Sequence, residues 1–162
     1  MIRTGIGFDI HRFAEGRRLV LGGVEIPHPA GLDGHSDADA VCHAIMDALL
    51  GAAALGDIGR HFPDTDSRWK NADSCGLLAR TAALVREKGY EIANVDAMVM
   101  AEAPRLAPHI PLMRERLAQA LGVEADQVSV KAGTHEKMGA IGRAEGIGVL
   151  ATTALYRQTR RP

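Results

Sequence analysis

Residues 31–66 read GLDGHSDADAVCHAIMDALLGAAALGDIGRHFPDTD, and the layout of the whole chain follows from them. Ser36 stands where a helix N-cap belongs, its hydroxyl free to accept from a first-turn N–H. Asp39, three residues on, imitates a capping box, so the pattern predicts a helix beginning near Asp37. From there Ala40, Val41, Ala44, Ile45, Ala48 and Leu49 recur at helical spacing and form a buried face. Asp39, His43 and Asp47 step along another face at i, i+4 and i+8. That polar stripe suggests a site. After Leu55 the stretch GDIGRHFPDTD cannot continue the helix, because its glycines and proline break it and its three aspartates would be costly to bury unpaired. It is expected to be a loop that binds something.

Before this stretch, residues 2–11 alternate strictly, with Ile2, Thr4, Ile6, Phe8 and Ile10 on one face and Arg3, Gly5, Gly7, Asp9 and His11 on the other. Asp9 and His11 then point the same way, about 6.5 Å apart along a strand, a separation from which two side chains can converge on one cation. Arg18 to Ile26 reads as a hairpin around Gly22 and Gly23. Beyond it, a helix is expected from about Ser74 to Lys88, capped by Asp73 or Ser74, burying Leu77, Leu78, Leu84 and Val85 and stopped by Gly89. The linker from Asp57 to Ala72 is about 16 residues without regular structure, a length that usually means a lid or binding loop.

Glu91 to Ala101 alternates again as a strand. Pro111 suits the first position of a helix PLMRERLAQAL closed by Gly122. Gln127 to Ala132 is a short strand, GTHEKMGAIGRAEG a glycine-rich loop, and Ile147 to Tyr156 a final strand. Strands interleaved with helices make an α/β (α+β) two-layer sandwich, a mixed sheet with helices on one face, of roughly ferredoxin-like type.

Residues 1–162 fit one domain, large enough to bury roughly two thirds of its unfolded surface. A net charge of -1, from 19 basic and 20 acidic residues, offers no overall field for nucleic acid or an anionic membrane, so any anionic ligand must be held by local cations or metals. Cys42 and Cys75 both fall in predicted helices without metal-knuckle spacing, which fits reduced thiols in a cytoplasmic protein. No apolar run approaches the ~18 residues of a membrane span, and the sequence opens on a strand pattern, so neither secretion nor membrane insertion is expected.

Asp9, His11 and His43 are the candidate metal ligands. Catalytic zinc takes imidazole and carboxylate from three protein residues and leaves a fourth position open. His35, beside Ser36, is either a turn residue or an anion contact at a helix start. Asp39 and Asp47, one turn either side of His43, either orient its imidazole or form a solvated helix face.

The stretches GFDIHRF, HSDADAVCHAIMDALLGAAALGDIGRHFPDTD, AEAPRLAPHIPLMR and VKAGTHEKMGAIGRAEGI, in this order across almost the whole chain, resemble those of the 2-C-methyl-D-erythritol 2,4-cyclodiphosphate synthases of the non-mevalonate isoprenoid pathway. The resemblance implies cyclisation of 4-diphosphocytidyl-2-C-methyl-D-erythritol 2-phosphate with release of CMP, by a homotrimer with active sites between subunits. It implies Zn2+ on Asp9, His11 and His43, and a second divalent cation, Mg2+ or Mn2+, on the diphosphate beside Glu136.

By the same resemblance His35, Ser36, Asp57, Ile58 and Gly59 line the methylerythritol phosphate side, and the loop Phe62, Pro63, Asp64, Thr65, Asp66 closes over it. The segment Ala101, Glu102, Ala103, Pro104, Arg105, Leu106, Ala107 holds the cytidine, largely through backbone. His35 and Thr134 match positions that stabilise the transition state, and Arg143 a phosphate-binding position. Gly133, His135 and Ala140 depart from the family pattern: hydroxyl residues are usual on both sides of Thr134, and an aromatic is frequent at position 140. The family sometimes holds an isoprenoid diphosphate in the trimer cavity, where Phe8, Arg143 and Glu145 would lie. Lys131 and Lys137 flank the glycine-rich loop as solvated surface lysines.

This chemistry needs no general base, since the attacking phosphate oxygen is already anionic near neutral pH. The difficulty is one anion attacking another, which calls for positioning and positive charge. Two rival readings use the same ligands. A zinc phosphoesterase would leave the glycine-rich loop and AEAP segment unexplained. A scaffold with structural zinc would want four protein ligands, whereas the sequence offers an obvious three.

Overall fold

The structure is a computed structural model and describes residues 1–157. Seven strands, β1 (Ile2–Glu15), β2 (Leu19–Leu21), β3 (Val24–Ile26), β4 (Ala30–Leu32), β5 (Glu91–Met100), β6 (Val128–Gly133) and β7 (Gly146–Tyr156), accompany helices α1 (Ala40–Ala52), α2 (Ile58–His61), α3 (Ser74–Glu87), α4 (Ile110–Leu121) and α5 (Gly139–Gly142). Five strands form one sheet in the order β4-β1-β7-β5-β6, and β2 and β3 form a separate hairpin. β1 runs antiparallel to β7 from Ile2↔Tyr156 to Arg12↔Gly146, and β7 antiparallel to β5. Among the described strands only the pair β5–β6 is parallel, as fits a chain that α4 carries across between them. The expected mixed sheet is present, with α1, α3 and α4 covering one face through a continuous apolar core.

α1 lies at the centre of that core. Every one of its residues except Asp47 and Gly51 is buried, so the helix is wrapped on all sides, where the sequence suggested an apolar face opposite a polar one. β1 explains how it gets there. The residues facing α1 are the odd ones: a Cβ on Gly5 would lie 2.0 Å from the Ala48 carbonyl oxygen, and one on Gly7 2.0 Å from that of Ala44. Helix backbone rests directly on strand backbone. The even, apolar face of β1 is the open one, with Ile2 75%, Ile6 66%, Phe8 54% and Ile10 51% exposed.

The start of α1 also differs from expectation. Its N-cap is Asp39, not Ser36: the Asp39 carboxylate accepts from Val41 and Cys42 N–H, both at 3.1 Å. Ala38, with φ +58°, interrupts any helix begun at Asp37. The same carboxylate takes the N–H groups of Gly22 (2.9 Å) and Gly23 (2.7 Å), so the β2–β3 turn hangs on the cap of the central helix. Those glycines have φ of +57° and +74°, the conformation a two-residue hairpin turn requires.

Elsewhere the outline follows the sequence. α3 is capped by Asp73 and ends before Gly89, with Leu84 only half-buried where burial was expected; α4 closes on Gly122 at φ +65°, and the glycine-rich loop contains the short helix α5. Residues 57–72 are mostly irregular but contain two short turns, α2 and a 3-10 turn at Ser67–Trp69, each capped by an aspartate, Asp57 and Asp66. Among the described residues no helix is long and apolar enough to cross a membrane.

Candidate metal centre

Asp9 and His11 project from β1 toward α1, and His43 projects from the first turn of α1 toward β1. Asp9 Oδ2 lies 2.9 Å from His11 Nε2 and 3.0 Å from His43 Nδ1, and the two ring nitrogens are 3.3 Å apart. A tetrahedral ion with ligands at about 2.0 Å needs ligand atoms about 3.3 Å from each other, so the triangle closes on one ion with little adjustment. One ligand atom from each residue meets the geometric condition for a shared metal. The backbone approach at Gly5 and Gly7 is what makes this possible, since it sets how near α1 comes to Asp9 and His11.

Each imidazole has its far nitrogen engaged. His11 Nδ1 lies 2.5 Å from the Asp33 carbonyl oxygen, which can only accept, so Nδ1 carries a proton and Nε2 is the nitrogen left for a metal. His43 Nε2 lies 3.1 Å from Ser36 Oγ and 3.1 Å from Ser74 Oγ, leaving Nδ1 toward Asp9. Without a metal the three groups act on one another. Burial alone raises the Asp9 carboxyl, but hydrogen bonds with His11 and His43 and their charge outweigh it and hold it well below the usual carboxylate range. Burial likewise lowers His11, yet the Asp9 hydrogen bond and charge, with help from Asp33, push it above its ordinary value. The site is built to hold positive charge.

The triangle opens into a cavity of about 490 Å³ whose walls include His35, Ser36, Ile58, Gly59, Phe62, Pro63 and Asp64, with Met46 and Leu77 on the apolar side. A larger cavity of about 670 Å³ lies past Ile10, lined also by Ala140, Ile141 and Glu145. Size does not decide between them, because only the smaller contains the whole ligand triangle. A profile of the YgbB family matches residues 2–156. The chain belongs to the YgbB family.

Relatives support this along the whole length. The 2-C-methyl-D-erythritol 2,4-cyclodiphosphate synthase of Ectopseudomonas mendocina is 59% identical over 156 residues, covering 96% of this chain and 99% of that protein. The bifunctional IspDF of Campylobacter jejuni superposes with a TM-score of 0.94 at 46% identity, covering 98% of this chain and 43% of that one. The CDP complex of IspF from Plasmodium falciparum gives a TM-score of 0.85 at 35% identity, covering 98% and 97%.

The sequence-predicted residues of this YgbB chain fall into two groups. Asp9, His11, His35, Ser36, His43, Ile58, Gly59, Phe62, Pro63 and Asp64 share the metal cavity. Asp57 caps α2, Thr65 is exposed, and Asp66 pairs with Arg68, all in the loop beside it. The second group is knit together apart from that cavity. Ala101 N–H donates to the Gly133 carbonyl at 3.0 Å, and Glu102 Oε1 accepts from His135 N–H (2.9 Å) and Lys137 N–H (3.2 Å). This binds Ala101–Ala107 to the Gly133–Glu136 turn, where Thr134 Oγ1 donates to Glu136 Oε1 at 2.9 Å. None of those residues lines the metal cavity. Arg143 is exposed and paired with Glu145 at 2.6 Å, and Ala140 lines the larger cavity.

Asp39 and Asp47 do not orient His43. Asp39 is spent on four backbone N–H groups, and Asp47 Oδ1 accepts from Ile58 N–H at 2.8 Å, tying the loop to α1. The partners of His43 are Ser36 and Ser74. Ser74 reads in sequence as a helix start and nothing more, because its contact with His43 spans 31 residues. Arg17 was likewise silent. Its guanidinium donates to the carbonyls of Gly34 (2.9 Å) and Ser36 (2.6 Å), clamping the segment that carries His35.

Proposed function

We propose that the chain cyclises 4-diphosphocytidyl-2-C-methyl-D-erythritol 2-phosphate to 2-C-methyl-D-erythritol 2,4-cyclodiphosphate, releasing CMP. The observation that carries this reading is the three-cornered ligand set of Asp9, His11 and His43 facing a cavity, in a chain closely similar over its full length to proteins named as that synthase. In the reaction the 2-phosphate oxygen forms a bond to the terminal phosphorus of the cytidine diphosphate group. The phosphorus–oxygen bond to CMP breaks, and CMP leaves as an anion.

A carboxylate and two imidazoles suit Zn2+, which when bound would supply a Lewis acid against the phosphoryl charge. The protein's own groups do the rest. His35 and Ser36, on a loop fixed by Arg17, present polar atoms to the phosphate side, while Phe62, Met46 and Leu77 give an apolar wall. The Ala101–Ala107 segment, fastened to the Thr134 turn, is the proposed cytidine holder. Glu136, with Thr134 beside it, would carry Mg2+ or Mn2+ on the diphosphate. A relative of the same fold was solved with CDP, which supports a cytidine diphosphate group as the ligand recognised.

Because the metal cavity and the proposed cytidine holder do not share a pocket within one chain, the site is completed by a neighbouring copy. The open apolar face of β1 and β7, with Ile6, Phe8, Ile10 and Leu150, supplies a surface for a homotrimer. An isoprenoid diphosphate, if carried, would lie where three copies meet. The ferredoxin-like comparison extends to the layering of helices on one face, since the parallel β5–β6 pair departs from an all-antiparallel sheet. Incubating the protein, Zn2+ and Mg2+ with the cytidylyl substrate should yield equimolar CMP and cyclic diphosphate. Linear hydrolysis products in their place would overturn the reading in favour of a phosphoesterase.

A further inference from the structure

An imidazole that gives a lone pair to a metal through one nitrogen must keep its proton on the other. For His11 a main-chain carbonyl enforces this, that of Asp33. For His43 the task falls to side chains, and the two hydroxyls near Nε2 are not equivalent. Ser74 Oγ also donates to Asp37 Oδ1. A hydroxyl has one proton and an ionised carboxylate has none to give, so Ser74 turns lone pairs toward His43 and Nε2 must be the donor. Ser36 Oγ accepts from Ala38 N–H at 3.1 Å and has its own proton to offer either to His43 Nε2 or, at 3.5 Å, to Ser74 Oγ, so it can act either way toward the ring and fixes nothing.

Asp37 is itself held. Its Oδ2 accepts from Ser74 N–H at 3.0 Å, its Oδ1 from Asp39 N–H at 3.2 Å, and its own N–H donates to the Ala72 carbonyl at 3.2 Å. Ser74 is wholly buried, so no water competes for the hydroxyl. We propose that Asp37 and Ser74 are positioning residues for the metal: the Asp37-held hydroxyl of Ser74 keeps the proton on His43 Nε2 and the Nδ1 lone pair on the ion. With the proton on Nδ1, the ring would point hydrogen at Asp9 and His11 and close the triangle to any cation. The inference rests on the metal reading of the Asp9–His11–His43 site.

The test measures Zn2+ affinity by competition with a chromogenic chelator, together with the exchange of the His43 Nε2 proton in the Zn2+-loaded protein by 15N NMR. Wild type should bind one Zn2+ in this site. Ser74→Ala should weaken binding about 10- to 100-fold, the usual effect of losing such a partner, and should speed exchange of the Nε2 proton in the loaded protein. Ser74→Thr, which keeps the hydroxyl, should restore both. Asp37→Asn should weaken binding less, and the double variant should be no weaker than Ser74→Ala alone, because Asp37 acts through Ser74. The Nε2 proton and the Thr rescue separate this from a general loss of fold, which would move neither selectively. Affinity within twofold of wild type in Ser74→Ala, or independent multiplication of the two effects, overturns the proposal. A wild-type protein that binds no Zn2+ would instead overturn the metal reading itself.

Discussion

His11 is the residue whose protonation should govern metal loading. Its pKa is raised, chiefly because the Asp9 hydrogen bond and charge overcome burial, so a proton competes with the cation up to a pH above the ordinary histidine value. Asp9, held well below the usual range, stays ionised and adds no dependence near neutrality. Zn2+ affinity is therefore expected to level off above the raised pKa and to fall at least tenfold per pH unit below it, with one proton or more released per ion bound in that lower range. Calorimetric titrations between pH 5.5 and 8, in two buffers of different ionisation heat, check the sign. The thiols make a second residue-level case. Cys42 Sγ and Cys75 Sγ lie 3.8 Å apart, but Cys42 is wholly buried and its thiol is pushed up by the Cys75 contact, burial and Asp39. A maleimide should label Cys75 in the folded protein and reach Cys42 only after denaturation, as mass spectrometry would show.

At the level of elements, the contact of β1 with α1 is the most consequential join in the molecule. A methyl at Gly7 would fall 2.0 Å from the Ala44 carbonyl oxygen, a backbone atom that cannot swing aside. Gly7→Ala is expected to cost at least the ~1–3 kcal/mol typical of overpacking, and to weaken Zn2+ binding by spreading Asp9 and His11 from His43. Urea unfolding and metal titration of the same variant report the two effects separately. This join also shows what could be read beforehand. The D-x-H strand face and the helical position of His43 were legible, because periodicity of two and of 3.6 sets side-chain direction locally. Which face of β1 is buried was not, because the apolar even face looks like the core side, while glycines Gly5 and Gly7 reveal themselves only by what rests on them. The cap of α1 was misplaced for a similar reason. Its true capping residue, Asp39, is selected by Gly22 and Gly23, 17 and 16 residues away, and by a positive φ at Ala38 that alanine does not advertise.

For the whole molecule, the decisive question is the uncovered side of the sheet. Ile2, Ile6, Phe8 and Ile10 stand in a row on β1 with Leu150 of β7 beside them, a contiguous apolar surface of the kind that marks an interface. If the proposed trimer forms through this face, Ile6→Asp should give a monomer in analytical ultracentrifugation and abolish turnover, because the cytidine side of each proposed site would then be missing. Zn2+ binding should persist in that monomer, since all three ligands come from one chain. A trimer that survives Ile6→Asp and Phe8→Asp together would place the contact elsewhere.

The partners of the ligand residues carry a last consequence for the order of events. Asp33, Ser36 and Ser74 belong to the loops and helix packed around β1 and α1, so the nest depends on tertiary packing of segments far apart in the chain. A nascent chain gains the last of these only when residue 74 has emerged and docked. Metallation should then be a late event in the protein's life and a reversible one, so that protein stripped by a chelator can be recharged without passing through an unfolded state.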